Sequence, residues 1–247
     1  MPVLSRVSSM PLRGFLHLGC AFATTMLMIG AGGVGITSAK AQNGLGAPNS
    51  SAALLAELAS NTSSFADKAA LGEALYFDTN LSKNRTQACA SCHEPTTGFR
   101  DPRSEIAHGA YSLGDDGASL GDRNAPMAAY AKFAPDFHFK EDGTPVGGQF
   151  WDGRAKDLAE QAGGPPLNPV EMGMPDKATV VARLQEDEDY VESFKSLFGD
   201  DVWSDTNRAY AAMTDAIAAF ERTDQFAPFD SKYDRFLRGE YKMTPQE

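Results

Sequence analysis

Cys89-Ala-Ser-Cys92-His93 constrains this chain more than any other stretch. A Cys-x-x-Cys-His run in an exported protein reads as a covalent attachment site for a c-type haem. The two thiols can add across the vinyl groups of one porphyrin edge. The histidine that follows at once can then place an imidazole nitrogen on the iron from the proximal side. A redox dithiol and half of a zinc site use the same residue types. The first is expected beside a βαβ pattern, which the chain does not show, and the second needs another ligand pair at short spacing.

Export is written in the first 41 residues. Met1 to His17 carries Arg6 and Arg13 and no acid, and Cys20 to Ile36 runs apolar to a Gly-rich close. Ala39-Lys40-Ala41 then offers a small-x-small cleavage site. This pattern reads as a secretory signal peptide over 1–41 and gives a periplasmic address. An uncleaved anchor is the rival reading; a lipoprotein reading through Cys20 fits less well, because that cysteine precedes the apolar core. Cleavage removes three cations and no acid, taking the formal charge from −11 to −14. So acidic a surface argues against nucleic acid and anionic membranes as partners, and suits steered docking of a basic redox protein. Beyond residue 37 no stretch is long and apolar enough to span a bilayer, so the mature form is expected to have no transmembrane segment.

The remaining chain reads as all-α with long loops. Residues 42–64 form a Gly/Pro/Asn linker and a short helix over 50–58. Asp67 can cap a helix carrying Leu71 and Leu75, and Asp176 can cap another over 176–186. A third helix spans Tyr190 to Phe198. The longest, Asp205 to Arg222, has Tyr210, Met213, Ile217 and Phe220 at helical spacing. Residues 230–239 read as a short amphipathic piece. Gly109 to Arg123 is a polar loop read as mobile. Asp152 and Arg154 can pair, and the bland reading of their segment is a buried turn around a Trp core.

A resemblance enters through an ordered set of motifs. Leu71-Gly72-x-x-Leu75-Tyr76-Phe77-Asp78-x-x-Leu81-Ser82 precedes the haem motif, and Gly98-Phe99-x-Asp101 follows it. Arg123-Asn124-Ala125-Pro126, Phe150-Trp151-Asp152-Gly153-Arg154-Ala155, Gln161-Ala162-x-x-Pro165 and Asn168-Pro169-Val170-Glu171-Met172 come next. Together, over 65–247, they resemble the amino-terminal haem domain of bacterial di-haem cytochrome c peroxidases and their MauG-like relatives. The resemblance implies a cytochrome c-like haem domain over 65–239, with one covalent haem c. Residues 240–247 look like a linker stub toward a second haem domain, for which this sequence has no second Cys-x-x-Cys-His. The implied activity is reduction of hydrogen peroxide to water, with electrons from a small cytochrome c or copper protein. Such a chain can be truncated, split from a separate second haem subunit, or mono-haem. The alternatives are a mono-haem electron carrier without catalysis and half of a MauG-like haem oxidase.

Site residues follow from the same resemblance. His93 is the proximal iron ligand. His108, in a glycine-punctuated loop, matches a histidine that caps the iron in the resting enzyme. Glu171 matches the distal acid-base group, although from the residues alone it reads first as a solvated loop carboxylate. Gln161 matches a glutamine beside it, and Trp151 a tryptophan placed between the two haems for electron transfer. Asn124 matches a calcium ligand at the interdomain interface, which brings calcium in as a second cofactor. His138, flanked by aromatics, reads as a packed or hydrogen-bonded histidine. Met127, Met172 and Met174 could be thioether ligands but read more simply as packing.

Overall fold

The computed structural model describes residues 65–103 and 109–247. The signal peptide, the 50–58 helix and His108 lie outside the described residues. Aspartates start most of the helices by accepting main-chain N–H groups that have no partner inside the helix. Asp67 accepts from Ala70 to open α1 (Lys68–Phe77). The haem motif forms a single turn, α2 (Cys89–Cys92), and Asp157 opens α3 (Leu158–Ala162). Asp176 opens α4 (Lys177–Leu184), and Asp187 opens α5 (Glu188–Phe198). Asp205 opens the longest helix, α6 (Thr206–Glu221), and Ser231 caps α7 (Lys232–Leu237).

Packing centres on α6. Its Ala209, Met213, Ala216, Ile217 and Phe220 are buried, and α1 lies across it with Leu71, Leu75 and Tyr76 buried in turn. Gly72 makes that crossing close: a Cβ there would stand 1.9 Å from the Ala216 carbonyl oxygen. Aromatic rings fill the space beside the crossing. Tyr76, Phe220 and Phe226 meet edge to face at 5.0–5.6 Å, and Phe99 stacks on Phe226 at 4.0 Å. Such pairs add about 0.5–1.5 kcal/mol each beyond area burial. Phe99 is therefore a core residue whose ring partner is another phenylalanine.

Three features depart from the expectations. A two-stranded antiparallel hairpin, β1 (His138–Phe139) with β2 (Pro145–Val146), interrupts the all-helical pattern. The 109–123 loop is tied down: Leu113 bridges Leu120, and Asp115 accepts from Asn84 N and Thr86 Oγ1 at 2.7–2.8 Å. Finally, α7 buries none of its residues, and Tyr233, Phe236 and Leu237 are exposed. No helix among the described residues is long and apolar enough to cross a membrane.

Candidate functional site: one cavity around the Cys-x-x-Cys-His turn

The turn at 89–92 is set up by the loop before it. Ser82 is fully buried, and its Oγ accepts from Thr86 N and Gln87 N, which fixes the chain entering α2. Ser91 Oγ accepts from Ala88 N at 3.0 Å and caps the turn. Residues three apart share a helix face, so this turn places both thiols on one side. Both line a cavity of about 440 Å³, with His93 beside them.

Each group at the turn is tuned by its surroundings. Burial lowers the pKa of His93, against the pull of main-chain groups of Phe99 and Pro126 and of Asp101. The imidazole is thus neutral at pH 7 with a lone pair to give, and its Nδ1 is buried without a hydrogen-bond partner. Burial, with the Glu221 carboxylate second, pushes the Cys89 thiol up to about 12. Cys92 is also raised by burial, while Arg103 pulls the other way, its Nη2 3.1 Å from the sulfur. Asp101 holds that guanidinium at 2.6 Å. An orphaned ring nitrogen, two unbridged thiols and a cavity walled by Leu158, Ala162, Met172 and Ile217 fit a flat apolar macrocycle held by a thioether pair and an imidazole.

The 168–174 loop carries the opposite wall and is held by main-chain bonds. Asp115 N donates to Glu171 O at 2.7 Å, Lys83 N to Met172 O at 2.8 Å, and Met174 N to Pro166 O at 2.9 Å. Glu171 is half-buried. Burial raises its pKa, whereas Arg154 and the Asn168 side chain lower it. Gln161 reaches the same cavity from α3.

At the mouth, Asp152 accepts from Arg123 at 2.8 Å and Arg154 at 2.9 Å. The hydrogen bond from Arg123 is the largest cause that holds the Asp152 carboxyl down, at about 2. The Arg154 guanidinium lies over the Phe150 ring, 3.7 Å from its centroid. Gly147, at φ +76°, brings the main chain so near Pro135 that a Cβ would meet its carbonyl oxygen at 2.1 Å. Trp151 is not a buried core residue. It is 63% exposed, because its indole leans out over the mouth and donates to Asn124 O at 2.7 Å. Asn124 in turn donates to Gly109 O at 3.0 Å.

Cys89, Cys92, His93, Asn124, Trp151, Gln161 and Glu171 are therefore brought to one cavity. Met127 and Met172 line it as well. His138 does not: it is exposed on the hairpin, with Nδ1 2.8 Å from Asp136 O. Among the described residues no group of three or more His, Cys, Asp or Glu side chains could hold a metal ion. The sequence reading missed Glu221, a buried acid on this wall. Its signal was there, one turn after Ile217 on the apolar face of α6.

A family model for the di-haem cytochrome c peroxidases matches residues 66–242. The chain belongs to that family. It is 55% identical over 179 residues to methylamine utilization protein MauG of Paracoccus denitrificans, covering 72% of this chain and 46% of that protein. It is 39% identical over 183 residues to cytochrome c peroxidase Ccp of Escherichia coli, covering 74% and 34%. The fold matches the crystal structure of the diheme peroxidase BthA from Burkholderia thailandensis, with a TM-score of 0.67 and 33% identity over 74% of this chain and 45% of that one. The chain spans less than half the length of each of these relatives. Family membership bears out the resemblance read from the motifs and implies haem c as the cofactor. The helix-rich architecture with one small hairpin agrees with the cytochrome c-like fold of these relatives.

Proposed function

We propose that this chain is the peroxide-reducing haem domain of a periplasmic di-haem-type cytochrome c peroxidase. It would hold one covalent haem c through Cys89 and Cys92, with His93 on the iron. The observation that carries this reading is a single cavity with a neutral histidine beside two thiols and a raised-pKa carboxyl, Glu171. Haem, when bound, would supply an iron able to bind peroxide and to deliver electrons to it. Reduction consumes two electrons and two protons for each peroxide and forms two waters.

Glu171 handles the protons. As a carboxylate it takes one from the inner peroxide oxygen, and as an acid it returns it to the outer oxygen, which leaves as water. Burial raises its pKa, which favours the acid form needed for the second transfer. Gln161 holds the peroxide in place through its amide. The Phe150–Arg154 stack and the Asp152 pair shape the mouth, where Trp151 is exposed for electron entry from a second haem domain or subunit. A small cytochrome c or copper protein is the donor. A calcium ion at Asn124 would draw its other ligands from main chain, water or that second domain.

A second reading, half of a MauG-like haem oxidase, is favoured by the 55% identity to the Paracoccus denitrificans protein. The test is steady-state peroxide reduction by the haem-loaded chain with an artificial donor, against E171Q. Turnover lost in E171Q with haem intact supports the peroxidase reading. Redox cycling without turnover in either protein favours a carrier or an incomplete half.

A further inference from the structure

Glu221 has no part in the reading above, yet it stands on the cavity wall. It ends α6 one turn after Ile217, and both residues line the cavity. The residue is 7% exposed, and its Oε2 is buried with no hydrogen-bond partner. The groups that bear on it are Tyr76 from α1, Cys89 from α2 and Arg222 at its own helix end. Tyr76 stays neutral, because burial drives its pKa far up, and Cys89 loses its proton for good when a thioether forms. From α3, which packs on α6, the wall receives only the uncharged Leu158, Gln161 and Ala162. The other titratable groups on the wall are the neutral His93, Glu171, Asp122 and the Arg123–Asp152–Arg154 cluster at the mouth. Burial holds the Glu221 carboxyl up at about 8, with Arg222 pulling it down.

We propose that Glu221 is the proton-exchanging group of the haem cavity, protonated while the bound haem is reduced and ionised when it is oxidised. This rests on the haem reading above. Oxidation adds one positive charge to a low-dielectric cavity, which favours the carboxylate; reduction removes that charge and favours the acid. On reduction the electron comes from the donor protein or an electrode, and the proton comes from solvent.

The test is the midpoint potential of the haem-loaded chain as a function of pH, for wild type, E221Q and E171Q. The wild-type potential is expected to fall as pH rises around 8, by up to about 59 mV per pH unit, the one-electron value of a tenfold change. E221Q should flatten that fall, with the higher potential on the alkaline side, while E171Q should keep it. An equal slope in E221Q, or no slope in wild type, overturns the inference while leaving the haem reading intact. Absence of covalent haem overturns both. Where E221Q does not mature, the reduced-minus-oxidised infrared spectrum decides: a protonated-carboxyl band must grow on reduction in both wild type and E171Q. A spectrum without it overturns the inference.

Discussion

The phenolic hydroxyl of Tyr76 donates a 2.8 Å hydrogen bond to the main-chain carbonyl oxygen of His93. Tyr76 belongs to α1, and His93 ends the haem-motif turn, so this bond fastens the turn to the helix pair. The ring around that hydroxyl is fully buried among Phe220 and Phe226. Y76F should therefore lose about 1 kcal/mol of stability, the net value of one such bond, with more if the carbonyl is left dry. Denaturant unfolding, read by haem absorbance as well as by helical signal, checks it.

Ser82 carries a larger load on the other side of the turn. Its Oγ accepts from two main-chain N–H groups and donates to Thr79 O at 3.1 Å. S82A leaves both N–H groups without that acceptor, at a cost of about 1–3 kcal/mol for each group that finds no other partner. The expected outcome is a lower unfolding midpoint and a smaller yield of covalently loaded protein, while S82T retains part of both.

Gly72 should tolerate nothing larger. G72A sets a Cβ 1.9 Å from the Ala216 carbonyl oxygen, so α1 and α6 must separate. Overpacking of this kind typically costs about 1–3 kcal/mol, and here the obstacle is main chain, which yields little. Thermal unfolding of G72A and G72S should rank them both below wild type, with serine worse.

Under the proposed peroxidase reading, the mouth of the cavity should set the pH range of turnover. Arg154 lowers the Glu171 pKa, and Asp152 neutralises Arg154. Replacing the arginine in R154L raises the Glu171 pKa, so the ionised base appears only at higher pH. The acid limb of kcat/KM should then move up. D152N frees the arginine and should move the same limb down. Opposite displacements in the two pH profiles support the arrangement; displacements of the same sign contradict it.

Much of the scaffold could be read locally. Asp67 and Asp176 each cap the helix their position announces, and Asp205, read as the first residue of the longest helix, caps it, because a cap needs only its own next three residues. The turn at 89–92 was legible for the same reason, since the spacing of Cys89, Cys92 and His93 is itself local. The cavity was not. Its walls come from residues 87–93, 121–128, 149–172 and 217–221, and only the folded chain brings them together. Glu221 went unread because an acid after an apolar helix face looks like a solvated helix end. The bland reading of residues 150–154 put Trp151 in the core of a buried turn, yet its indole finds its acceptor at the surface, on Asn124 O. The hairpin at 138–146 is two residues a side, too short for any alternation to show.

The loop that bears Glu171 is held in place by its own peptide groups, through Asp115, Lys83, Pro165 and Pro166. None of those bonds uses the side chain at 171. Exchange of that side chain for aspartate, glutamine, histidine or alanine therefore leaves every one of these main-chain bonds with both its partners. A substitution series at 171 would read out reach, charge and proton affinity one at a time, with the scaffold as its own constant.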